Sequence, residues 1–171
     1  MWASRVRPEC MVTCQTGEMP RILHDETEAS TLSLGVAAVL FDDQGRILLV
    51  RKNYGKRRYG LPGGRVEAAE TPRDAVLREV REETGVHSLV QHIIGVYYLE
   101  YADGRPPLLS IACRCEIESG EPAVPATGEI AEVGWFHLDN LPAPLTNLAP
   151  YAIADAARGA VGVIGDVIRI P

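Results

Sequence analysis

An α/β domain is what this sequence predicts, and three observations carry that reading. Valine- and leucine-rich runs of strand length recur along the chain. A well-signalled helix, Pro72 to about Thr84, interrupts them, and a second helical stretch follows late in the chain. The resulting order, β β α β β β α, is too irregular for repeated βαβ units. A chain of 171 residues has room for one core. Residues 1–32 are mixed and polar and read as an N-terminal arm or tail, leaving 33–171 as the domain.

Taken in order, Leu34–Phe41 is the first apolar run. Asp42-Asp43-Gln44-Gly45 supplies turn chemistry and Arg46–Lys52 is a second strand, so a hairpin is expected. Asn53–Gly64 is a glycine- and arginine-rich loop. After the first helix, Ile93–Tyr101 and Leu108–Ile117 read as paired strands joined through Ala102–Pro107. A Pro/Gly-rich loop, about 118 to 128, leads to a strand at Glu132–Leu138. Asn147–Arg158 reads as the second helix, and Val161–Ile170 as a strand or packed tail.

Composition narrows the function. A net charge of −6 lacks the basic footprint of a nucleic-acid-coating protein, so no nucleic-acid partner is expected. No apolar run approaches a membrane span, and the start lacks a signal-peptide segment, so a cytoplasmic protein with no membrane contact is expected. Cys113 and Cys115 alternate along their strand and read as small buried hydrophobes. Cys10 and Cys14, with His24 nearby, form no C-x-x-C pair, and a tail is the reading favoured over a zinc site.

The first helix carries the chemistry. Thr71 is a good N-cap, Pro72 suits the first helical position, and Gly85 marks the end. Val76 and Val80 supply a buried stripe. Glu79, Glu82 and Glu83 stand at i, i+3 and i+4, so their carboxylates share one face. They also occupy the last turn, where the helix dipole favours cations. Such an arrangement calls for screening by water or for a cation. The preceding turn, Leu61-Pro62-Gly63-Gly64, lets backbone approach a ligand closely, and glutamate oxygens beside it suit a hard ion such as Mg²⁺ or Mn²⁺.

These residues resemble a known signature. Gly64, Glu70, Arg78, Glu79, Val80, Glu82, Glu83, Gly85 and Val86 match the Nudix box in register throughout. A chance match of this length has a probability on the order of one in ten million. Trp135-Phe136 and Leu141-Pro142 also look like the family. The resemblance implies an α/β/α sandwich with a mixed sheet, in which the box forms a loop–helix–loop. It implies metal ligation by Glu79, Glu82 and Glu83, assisted by the carbonyl of Gly63, with a supporting Glu70–Arg78 ion pair. A further loop carboxylate commonly joins such sites; Glu129 is the first candidate, Glu132 the second and Glu121 the third. Glu82, Glu83 or Glu129 would take the proton from an attacking water, and which of them does so stays open.

The implied activity is metal-dependent hydrolysis of a phosphoric anhydride in a nucleoside diphosphate linked to another group. Nucleoside triphosphates, dinucleoside polyphosphates and nucleotide sugars all qualify; Tyr101, where ADP-ribose cleavers often carry proline, tilts away from ADP-ribose. Arg51, Lys52, Lys56, Arg57 and Arg58 are candidates to grip phosphates, with Tyr59 and one of Tyr97, Tyr98 and Tyr101 candidates for base contact. The competing reading is a non-catalytic domain that senses a nucleotide. Members of the family form dimers, and the apolar chain ends here would allow edge pairing.

Overall fold

The computed structural model describes residues 32–171. The arm expected over residues 1–32 therefore lies outside the described residues except for Leu32, as do Cys10, Cys14 and His24. Eight strands and two helices follow in the order β1 (Ser33–Leu40), β2 (Ile47–Lys52), β3 (Tyr59–Gly60), β4 (Gly63–Arg65), α1 (Pro72–Thr84), β5 (His87–Tyr101), β6 (Leu108–Ser119), β7 (Ile130–Phe136), α2 (Ala149–Ala157) and β8 (Val163–Ile170). Among the described residues no helix is long and apolar enough to cross a membrane.

The strands form two sheets. One has five strands in the order β4-β1-β6-β5-β8, mixed in direction, because β1 runs parallel to β6 and β5 parallel to β8. The other has three strands, β3-β2-β7, all antiparallel. Side-chain alternation divides the core in two. Val36, Ala38, Leu40 and Leu48 face one way and pack with Ala75, Val76 and Val80 of α1. Val39, Ile47 and Leu49 face the other way and pack with Ala149, Ala152 and Ile153 of α2. The α/β/α layering is thus a consequence of strands that are apolar on both faces. Fully burying a valine such as Val76 or Val80 contributes about 1.5–3 kcal/mol.

The expected β1–β2 hairpin is corrected by the structure. Its turn is present: Gly45 N donates to Asp42 O at 3.0 Å, and Arg46 Nε to Asp42 Oδ2 at 2.7 Å. Past a single Phe41–Ile47 bridge, however, the strands part into different sheets. Both are buried on both faces, so each takes a central place with partners on either side rather than sharing one two-stranded ribbon. The loop expected over Asn53–Gly64 also contains β3 and the start of β4. Further on, β5 begins at His87, ahead of the expected Ile93, with irregular pairing to β6 along that extension. The last stretch is a strand, β8, at the sheet edge, where Ile164 is 90% exposed. Cys113 and Cys115 are buried as expected, and burial pushes the Cys115 thiol up to about 12.

Candidate active site

Local sequence fixes α1. Thr71 Oγ1 accepts from Asp74 N at 3.2 Å, proline opens the helix, and Gly85 ends it with φ 78°, its N–H donating to Arg81 O. The left-handed Gly85 is what lets the chain turn straight into β5.

Arg78 organises the acids around α1. Its Nε donates to Glu70 Oε1 at 2.8 Å and its Nη2 to Glu70 Oε2 at 3.0 Å, a two-pronged pair. The same Nη2 reaches Arg65 O at 3.1 Å. Its Nη1 donates to Glu79 Oε1 at 2.8 Å and to Glu82 Oε2 at 3.1 Å. These bonds, Glu70's above all, raise the Arg78 pKa and hold Glu70 below its ordinary value. The acid-rich last turn is therefore partly neutralised by the protein's own cations.

Glu83 is different. Its side chain is only 6% exposed, Oε2 accepts from Gly63 N at 3.0 Å, and Oε1 pairs with Lys52 Nζ. The Gly63 group that meets the acids is thus its amide, which organises Glu83 directly. A side chain at Gly63 would collide with the Val36 backbone, so glycine is required there, whereas one at Gly64 would push the Glu79 carboxylate aside. The three box carboxylates do not converge as they stand. Arg78 draws Glu79 and Glu82 together, Lys52 draws Glu83 away, and among the described residues no three acidic, histidine or cysteine side chains form a metal-holding group. The donor set still fits a hard divalent cation in kind: all oxygen, anionic, on one helix end, and already balanced by cations.

Next to this corner lies a cleft of about 610 Å³. The box carboxylates are not among its lining residues, but Gly63, Gly64 and Lys52, which touch Glu79 and Glu83, mark the end nearest the acids; Lys56, Arg57 and Arg58 line its basic rim, and Tyr101 and Arg105 stand among its walls. Arg58 Nη1 donates to Asn147 Oδ1 at 2.9 Å, and Arg105 lies 4.2 Å over the Tyr101 ring. Arg57 holds a left-handed φ of 46° at the turn, an uncommon conformation for arginine.

The remaining candidates fall elsewhere. Arg51 and Tyr59 are not among the cleft-lining residues; they bond Glu132 at 3.2 and 2.8 Å, and that bond raises the Tyr59 pKa. Glu132 is thereby engaged away from the box. Glu129 offers its carbonyl to Asn53 N at 2.7 Å, while its charge acts on Lys52. Glu121 is exposed in the loop after β6. Of the tyrosines, Tyr97 is buried and donates to Asp155 Oδ2 at 2.6 Å, leaving Tyr101 in the cleft. Asn147, Arg105 and Arg65 were not anticipated as cleft residues; they come from segments that only the tertiary fold brings together.

A two-sheet sandwich flanked by helices, with a glycine turn and an acid-bearing helix beside a cleft, defines a recognisable class. Residues 31–156 match the NUDIX domain model, and the chain belongs to that family. It is 36% identical over 111 residues to an ADP-ribose pyrophosphatase of Methanocaldococcus jannaschii, a match covering 64% of this chain and 64% of that protein's length. A crystal structure of a MutT NUDIX hydrolase from Burkholderia pseudomallei, 32% identical, superposes with a TM-score of 0.68 over 73% of this chain and 98% of the other. An ADP-ribose pyrophosphatase from Streptococcus suis, 27% identical, gives 0.61 over 82% and 100%.

Proposed function

We propose that this protein is a divalent-metal-dependent hydrolase, using Mg²⁺ or Mn²⁺, that cleaves a phosphoric anhydride in a nucleoside diphosphate linked to another group. The observation that carries this reading is the set of box carboxylates gathered around Arg78 and the Gly63-Gly64 turn, at one end of a cleft with a basic rim. Family membership and the names of the relatives support it.

Glu79, Glu82 and Glu83 would hold the cation, with Glu129 and the Gly63 carbonyl as further donors. A divalent ion supplies charge neutralisation on the bridging phosphates and lowers the pKa of water beside it. The chain's own residues do the rest. Glu70 and Arg78 lock the end of α1 and so set where the carboxylates stand. Lys56, Arg57 and Arg58 bind substrate phosphates along the rim, with Tyr101 offering a face to the base or sugar. One carboxylate among Glu82, Glu83 and Glu129 accepts the proton as water attacks phosphorus in line.

The decisive experiment combines a substrate panel with two variants. Nucleoside triphosphates, dinucleoside polyphosphates and nucleotide sugars are offered with Mg²⁺, with Mn²⁺ and with chelator, and the products show which anhydride breaks. Turnover is expected only with metal, and Glu82→Gln and Glu83→Gln are each expected to lose at least about a hundredfold in kcat while keeping the wild-type circular dichroism spectrum. Near-normal turnover in both variants would overturn the assignment.

A further inference from the structure

Lys52 is aimed by the fold in a way its neighbours are not. Successive residues of β2 face opposite ways, and Val50 and Lys52 share the face that lines the cleft. Arg51 turns to Glu132, whereas Lys52 enters the cleft wall with its side chain 28% exposed. Its ammonium pairs with Glu83, itself almost wholly buried and held on its other oxygen by Gly63. The Lys52 Nζ therefore stands against one member, the buried Glu83, of the carboxylate set that the proposed function gives to a divalent cation.

We infer that Lys52 is the internal counter-ion of this carboxylate set: its ammonium and a divalent cation compete for Glu83, and loading turns the ammonium out along the cleft toward the substrate's phosphates. This rests on the metal-dependent reading above. A carboxylate as buried as Glu83 is costly without a cation, and lysine, a compact charge on a flexible stem, can supply one and then withdraw. Arg78 cannot play this part, because Glu70, Arg65, Glu79 and Glu82 all hold it in place. Lys52 is thus a positioning residue in the metal-free protein and a phosphate-facing one after loading.

The test uses the full chain without substrate. Mn²⁺ titration followed by electron paramagnetic resonance is expected to show Lys52→Met binding the ion about tenfold more tightly than wild type, with Lys52→Arg near wild type. Amine acetylation read by mass spectrometry separates displacement from a mere change of field: Lys52 labelling should rise several-fold on adding Mg²⁺, while Lys56 labelling stays constant. Equal or weaker Mn²⁺ binding by Lys52→Met, or Lys52 labelling unmoved by saturating Mg²⁺, overturns the inference. If Lys52→Met fails to fold, labelling of the wild-type chain decides alone. A wild-type chain that binds no Mn²⁺ removes the metal-dependent reading and this inference together, whereas equal binding by both proteins removes only the inference.

Discussion

The two ends of the cleft are built on opposite plans. At the acidic end, two groups anchor the rest: one guanidinium makes five hydrogen bonds to three carboxylates and a carbonyl, and Glu83 is gripped from both sides. At the basic rim, Arg58 has one side-chain tether, and the turn carrying Arg57 is closed by a single 3.2 Å bond from Arg57 N to Tyr54 O. Chemistry that needs fixed geometry sits on a helix, and recognition that must follow a ligand's shape sits on a loop. Substitutions at the two ends should consequently fail in different ways.

Short of removing a box carboxylate itself, the largest effect is expected at the hub. Arg78→Ala leaves Glu70, Glu79 and Glu82 without their shared partner and should lower kcat about 10–100-fold, measured under saturating substrate. An unchanged kcat would show that the acids hold their places without it. Gly64→Ala comes next: the added methyl meets the Glu79 carboxylate, so kcat should fall by about tenfold while the melting temperature moves little. At the other end, Arg57→Ala combined with Arg58→Ala should raise KM about tenfold with kcat preserved. A loss confined to kcat would erase the division of labour between the two ends.

The smallest effect is one of pH. Arg78 holds Glu70 below the ordinary glutamate value, so the pair stabilises the fold fully above that value and the contribution is lost as pH falls through the lowered one. In chelator, the melting-temperature gap between wild type and Glu70→Gln should be constant above about pH 5 and close on further acidification. A gap that persists at low pH would mean that packing, not charge, carries the Glu70 contribution.

Much of α1 was legible because its signals are local: Thr71, Pro72 and Gly85 sit where caps must sit, and the structure bounds the helix at Pro72–Thr84. The wider α/β/α arrangement came through the resemblance, not through periodicity. Where sequence reasoning fell short, distant partners decided the outcome. Nothing near Asp42 states that β1 will pair with β6 and β2 with β7. Two features were nonetheless readable. Adjacent strand residues face opposite ways, so Arg51 and Lys52 could not both enter one cleft. Likewise Glu83 follows Val76 and Val80 at i+7 and i+3, which puts it on the apolar stripe and foretells its burial. Glu132's bond to Tyr59 and Asn147's to Arg58 had no such local trace.

The parting of β1 from β2 reaches beyond topology. Gly35, Val36 and Ala37 on one ribbon and Val50 and Lys52 on the other all border the same hollow, so the hollow is a seam between the two sheets. Asp42 and Arg46, clamped together, close the turn at the far end of these two strands from the hollow.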